Sequence, residues 1–471
     1  MLDDPLRVAV LRLESGTADD PSLLLTAAQL ATATGAVALA ERLARAAWSI
    51  GGGAAAGQLL AEALVFSDRP AEAEEVFAMI STDDDSPVLR AMRGMNLAWG
   101  LGRVEEAADL LDMNAARVNL LFDAGKYAEA RATLTGEEPE EAVLLAMIDV
   151  VEGRYTGPFP EVPKRNDFPL AWETMKFAEV FVRSLHGDLA GAERVAVQAH
   201  EEKSEWDSMR STWAVSRAGL ARARGRLEDA RRLLREARPV KPFAQLCESA
   251  YVEAMLGNDA RGLLAAAEAQ APHGMRPYRY GLWFARIWAG GASPFDAAAD
   301  VRAHGELAAE ALLLHEAVRL GHADRARKRL RELASSTTGL LVPVYAAHAE
   351  ALVRKDSDAL VEVAAWFEEA GMMLHAAEAA AASGNRALFS RLVGFCEGAR
   401  TPALALMSAT SLTRREREIA GMAARGLTNK EIASSLVISA RTVDNHLSNA
   451  YTKLGITTRG ELALILMDDS G

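Results

Sequence analysis

A glycine followed five residues later by an alanine recurs along the chain, at Gly102/Ala107, Gly125/Ala130, Gly187/Ala192, Gly225/Ala230, Gly321/Ala326 and Gly371/Ala376. An Ala- and Leu-rich run lies on either side of each pair, with apolar residues at helical spacing. Glycine at the end of such a run accepts the left-handed backbone that closes a helix. A small alanine in the next run lets the second helix pack closely on the first. The unit predicted is a helical hairpin, used repeatedly. Gly257/Gly262 and Asp68/Ala73 are weaker copies. Everything before the last sixty or so residues is poor in β-branched runs and broken often by Gly, Asp or Pro, which favours short helices over strands.

Spacings between these turns include 38 residues (Gly187 to Gly225) and 32 (Gly225 to Gly257), with 64 from Gly257 to Gly321 standing for two units. They cluster near the period of about 34 of tetratricopeptide-like repeats, although gaps of 23 and 62 break a strict period. The expected fold is all-α. A tetratricopeptide-like α-solenoid would occupy residues 1–397, each hairpin packing on its neighbours and leaving a concave surface. A short connector, 398–410, would lead to a four-helix head over 411–471. Partly apolar, that connector suggests a head docked on the solenoid part of the time. Arg276, Tyr278, Arg279, Tyr280, Trp283 and Arg286 form the densest mixture of aromatic and arginine side chains and suit a ligand or partner groove. The other reading of that helix is core with arginines at its rim, and Trp206 and Trp213, seven residues apart on one helical face, read the same way. The acidic run Asp83-Asp84-Asp85-Ser86 reads as a loop.

Within the head, Thr413 is followed three residues on by Glu416, Thr428 by Glu431 and Thr458 by Glu461, three capping boxes that each open a helix. Ser439 caps a further helix from Ala440 to about Leu454, and Gly426 and Gly455 close helices. Ile419 and Ala423; Ile432, Ala433 and Leu436; Val443, Leu447, Ala450 and Leu454; and Leu462, Leu464 and Ile465 fall at helical spacing and are assigned to the core. Two helices joined by Val437-Ile438-Ser439 fit a helix-turn-helix, whose second member enters the major groove. With Val443, Leu447 and Ala450 inward, Asp444, Asn445 and Ser448 are the candidate base readers: Asn can pair with adenine, and Asp can accept from the cytosine amino group. Lys430, Arg441, Thr442, Lys453 and Arg459 are the candidate phosphate partners. His446, on the inner edge of that helix, reads as a packing residue.

These residues carry a family resemblance. Leu412-Thr413-x-x-Glu416, Asn429-Lys430-Glu431-Ile432-Ala433, Ser439-x-x-Thr442-Val443-x-x-His446, and Lys453-Leu454-Gly455 followed by Arg459 resemble the LuxR-type helix-turn-helix domain of transcriptional regulators. The resemblance implies a helical bundle that binds double-stranded DNA and commonly dimerises on it through the last helix. One position departs from the pattern: after Thr442-Val443 the family often has Lys or Arg, and this chain has Asp444.

The formal charge of -13 is unevenly distributed. From Ser408 onward there are eight Lys or Arg and seven Asp or Glu, so the acidic balance lies in the preceding residues. A head this weakly basic predicts modest non-specific DNA binding by one copy, so occupancy should need a dimer or clustered sites. No stretch approaches eighteen uninterrupted apolar residues and the N-terminus lacks the pattern of a secretory signal, so a cytoplasmic chain that does not enter membranes is expected. Cys247 and Cys396 have no partners at metal-ligand spacing and read as buried thiols. Gly52 and Gly57 have the spacing of a phosphate-binding loop, but Gln58 and Leu59 stand where it needs Lys and Ser or Thr. No catalytic motif, metal site or cofactor is expected.

Helical repeats followed by such a head also resemble the C-terminal half of the large ATP-binding LuxR-type regulators, in which an ATPase precedes the repeats. Asp4-Pro5-Leu6 followed by Ala40 to Trp48 is similar to the start of their helical region. Two possibilities stay open: a piece of such a regulator, or a short relative whose control does not use its own ATP hydrolysis. The expected function is a sequence-specific regulator whose repeats sense a small molecule or protein. A scaffold whose head no longer reads DNA is the competing reading.

Overall fold

The computed structural model describes residues 4–34, 36–67, 69–80, 87–111, 114–161, 169–201, 207–237, 243–271, 276–408, 412–454, 459 and 462. Asp68, the run Asp83–Ser86, Trp206, Gly455 and the pair Thr458/Glu461 lie outside them. The described chain forms 28 α-helices, from Pro5–Glu14 to Ala440–Leu454, with no strand among them. None of these helices is long and apolar enough to cross a membrane. Local chemistry accounts for many of the helix starts. Asp4 accepts from Leu6 N at 3.1 Å and Asp20 from Ser22 N at 3.0 Å, each just before a proline that suits the first helical position.

The hairpins form where the glycines and alanines placed them. All six turn glycines have positive φ, from +70° at Gly102 to +107° at Gly187. All six alanines five residues on are fully buried. At Gly225 the closure is explicit: Gly225 N donates to Arg222 O at 2.9 Å and Arg226 N to Ala221 O at 2.9 Å, satisfying carbonyls that the helix end would otherwise leave open. Consecutive helices pack in chain order, as in an α-solenoid.

Later hairpins also pack on much earlier ones, which the repeat pattern does not announce. Thr338 Oγ1 donates to Tyr155 O at 2.5 Å, 183 residues away in the chain, and Thr338 N to Gly153 O at 2.8 Å. Leu340 N donates to His186 O at 2.8 Å, and Arg400 N to Met255 O at 2.7 Å. At Gly225 an added Cβ would sit 3.1 Å from Leu374 N, so the missing side chain also admits the later hairpin. One apolar core therefore includes residues from Val180 to Leu404. Over that span the solenoid curls until its own turns meet.

Several of the side chains expected to line a groove around residue 280 are engaged within the fold. Tyr280 is buried, and Arg276 turns inward, its Nε 2.7 Å from Glu306 Oε1 and its Nη2 2.9 Å from Asp300 Oδ2. Glu306 also accepts from Tyr127 OH at 2.9 Å, 179 residues away, so these side chains fasten one solenoid turn to another. Arg286 pairs with Glu268 at 2.8 Å and lies over the Trp283 ring, while Arg279 is half-buried. The side chain of Tyr278 lies outside the described residues. Trp213 is fully buried against Phe177. Cys247 and Cys396 are free and buried, and burial pushes both thiols up to about 12, away from reactivity.

The interior also holds charge. Arg319 reaches Glu378 through two bonds, of 2.7 and 2.9 Å, and Glu316 through Nη1 at 2.9 Å. Glu316 further accepts from Tyr251 OH at 3.1 Å and Trp288 Nε1 at 2.8 Å. Beside this group, His315 Nε2 lies 3.0 Å from His348 Nδ1, and the His315 ring stacks on Tyr345 at 4.1 Å and on His375 at 5.6 Å.

The segment expected as a connector is part of this assembly. Pro402–Ser408 is a short helix whose Leu404 joins the solenoid core. Just before it, the carboxylate of Glu397 accepts from Glu228 N at 2.9 Å and Asp229 N at 3.1 Å, at the start of the helix Leu227–Glu236. The head's own apolar core is built from residues between Leu412 and Leu462.

Candidate nucleic-acid interface

Two reciprocal capping boxes set the head's first two helices. Thr413 Oγ1 accepts from Glu416 N at 3.2 Å while Glu416 Oε2 accepts from Thr413 N at 2.6 Å, opening Arg414–Ala424. Thr428 and Glu431 repeat the exchange at 3.3 and 2.7 Å, opening Asn429–Leu436. Val437 then turns the chain, and Ser439 Oγ accepts from Thr442 N at 3.0 Å to start the helix Ala440–Leu454. Ile419, Ile432, Val443, Leu447, Ala450 and Leu462 meet in the centre, all at most 4% exposed.

With those residues inward, Arg441, Asp444, Asn445 and Ser448 are all exposed on the third helix. Their spacing, i, i+3, i+4 and i+7, makes one stripe along its first two turns. Lys430 is exposed on the neighbouring helix, and Thr442 is half-buried with its hydroxyl 2.7 Å from that of Ser439. His446 is half-buried. Lys453 lies in the third helix, and its side chain is outside the described residues.

Arg459 is placed differently from its expected phosphate role. Its guanidinium donates to Ala423 O at 3.2 Å, to Asn429 Oδ1 at 2.8 Å and to Leu427 O. These acceptors lie at the end of the first head helix, in the following turn and at the start of the second helix, so the arginine ties the head together internally. Two contributors had no role in the sequence reading. Arg415 Nη2 donates to Leu436 O at 3.2 Å, closing the second helix from the first, and Asn429 Nδ2 donates to Asp444 Oδ1. Asn429 stood inside a motif, but its partner is 15 residues away across the turn and no local pattern announces that contact.

Val437 adopts φ 53° and ψ 47° and is 91% exposed. A β-branched residue in left-handed backbone is strained by about 1–2 kcal/mol, and exposure offers little packing in return. Val437→Asn, whose side chain tolerates this region, is expected to stabilise the head by about 1 kcal/mol. Slower native-state hydrogen exchange at the Ile432 and Val443 amides is the readout; unchanged or faster exchange would refute the strain.

A capped pair of helices, a tight turn and an exposed polar stripe on the second of them define a helix-turn-helix DNA-binding unit. Residues 410–466 match the family model described as "Bacterial regulatory proteins, luxR family". The spore germination protein GerE of Bacillus subtilis is 48% identical over 56 residues, 12% of this chain and 76% of GerE. By this head the chain belongs to the luxR family of bacterial regulatory proteins, and it is a LuxR-type DNA-binding transcriptional regulator. The transcriptional regulatory protein UhpA of Escherichia coli is 40% identical over 72 residues, 14% of this chain and 37% of UhpA. An HTH-type transcriptional regulator of Mycobacterium tuberculosis is 46% identical over 52 residues, 11% of this chain and 6% of that one. The chain thus spans most of GerE but well under half of these longer relatives. A chain in the crystal structure of the APC/C hetero-tetramer Cut9-Hcn1 aligns over 98% of this one at 13% identity and a TM-score of 0.34.

Proposed function

We propose that the head reads a specific DNA sequence in the cytoplasm, bound as a homodimer, and that the repeat region couples this binding to a small-molecule or protein effector. Asp444, Asn445 and Ser448 face base edges in the major groove, with Arg441, Thr442, Lys430 and Lys453 on the flanking phosphates. The stripe of exposed polar side chains along one face of the third helix carries this reading. An acid on that face and a nearly balanced head charge favour two copies acting together. Coupling to an effector is supported by the root of the head: Glu397, Arg400 and Leu404 fasten it to hairpins far earlier in the chain, so a rearrangement there would reach the head.

Selection of bound duplexes from a random pool by the full chain tests the reading. An enriched palindrome is expected, and a pool that returns only chance sequences would leave a scaffold. Asn445→Ala should cost roughly 1–3 kcal/mol of discrimination at one base position, whereas Lys453→Ala should weaken all sequences alike and lower the salt slope by about 1. Equal loss on specific and random DNA for Asn445→Ala would remove that residue from the reading role.

A further inference from the structure

The geometry points to Asn429 and Arg459 as positioning residues that hold Asp444 as a reader of cytosine. This rests on the reading of the third helix proposed above and names one base for one of its side chains.

Arginine has no acceptor, so the amide atom of Asn429 that faces Arg459 at 2.8 Å is its oxygen. The Asn429 amide nitrogen is thereby turned away from Arg459, and it donates to Asp444 Oδ1. Arg459 is itself held by the carbonyls of Ala423 and Leu427, so the relay from Arg459 through Asn429 to Asp444 is anchored in the backbone of the head. Asp444 remains exposed, with its Oδ1 engaged by Asn429, which leaves its other carboxylate oxygen to accept from a base.

That remaining oxygen can only accept. In the major groove guanine offers two acceptors, and thymine an acceptor and a methyl group, so both repel or fail to satisfy it. Adenine sets its amino group beside the N7 acceptor. Cytosine is the base whose own edge carries an amino donor and no acceptor, and it is the one a single fixed carboxylate oxygen favours. Where Lys or Arg at this position would contact DNA of any sequence through its charge, Asp444 contributes discrimination, and the relay keeps it from swinging toward solvent.

The test uses the full chain and a random duplex pool, with Asn429→Ala, Asp444→Ala and the double variant. The wild type is expected to enrich a site containing a cytosine that Asp444→Ala no longer prefers. Asn429→Ala should lower the preference for that cytosine roughly tenfold, leave the other positions and the affinity for scrambled duplex unchanged, and add nothing in the Asp444→Ala background. A merely structural role would instead weaken every sequence alike, or add its own loss in that background, and either result overturns the relay. An enriched site with no cytosine responsive to Asp444 also overturns it while leaving the reading helix standing. Chance sequences alone would overturn both.

Discussion

Replacing Arg319 by methionine is expected to cost the repeat region about 3–5 kcal/mol, a large part of the stability of an ordinary domain. The Arg319 side chain is fully buried, and so is that of Glu378, with Glu316 close behind at 8% exposure. Burial alone would lower the arginine's affinity for its proton, but the carboxylates of Glu316 and Glu378 outweigh it and hold the guanidinium firmly charged. Removing the arginine leaves both carboxylates inside without the guanidinium that bonds them, and that desolvation, more than the lost bonds, sets the size of the effect. Arg319→Met combined with Glu316→Gln and Glu378→Gln should therefore recover most of the loss. Urea unfolding of the three chains distinguishes the cases. A single-variant cost under about 1 kcal/mol would mean that water reaches this network.

Acid should act on the neighbouring histidines. Burial, followed by the positive charges nearby, holds His315 and His375 well below their ordinary range, and burial together with Arg319 lowers His348 to about 3. Glu316 and Glu378 face the same interior but are engaged by Arg319, while Tyr345 and Phe367 cover His315. The sign follows from depressed basic groups. Above the unfolded value of about 6.5 both states are neutral and the contribution is fully present. As pH falls below that value the unfolded chain takes up protons that the folded one refuses, and stability declines toward the folded value. From pH 7 to pH 5 each histidine that stays neutral should remove about 2 kcal/mol. The urea midpoint should fall steeply over that range in the wild type and less steeply in His348→Gln. A flat profile would show that the three rings titrate as exposed histidines do.

What the sequence discloses is local, and what it hides is separated along the chain. The turn at Gly225 and the capping boxes at Thr413 and Thr428 depend on residues within five positions of one another, so composition and spacing announce them. Arg276 and Tyr280 looked like a groove because arginine beside aromatics suits a partner surface. They turn inward because Glu306 and Tyr127 stand opposite, and Tyr127 is 179 residues from Glu306. Arg459 looked like a phosphate ligand for the same reason. Any surface arginine does, until the carbonyls of Ala423 and Leu427 are seen beside it. The stripe from Arg441 to Ser448 was legible because helical periodicity alone separates it from Val443 and Leu447.

The bond from Thr338 to Tyr155 carries a constraint on how this protein can change over time. Open arrays of hairpins lengthen or shorten by copying or losing a unit, because each unit touches only its immediate neighbours. Here a hairpin gained or lost between residues 255 and 338 would shift the later turns out of step with the earlier turns they rest on. Such a chain would forfeit its seams at Gly153, His186 and Met255 together, so the number of hairpins is held fixed by closure and inheritance is confined to substitution within them.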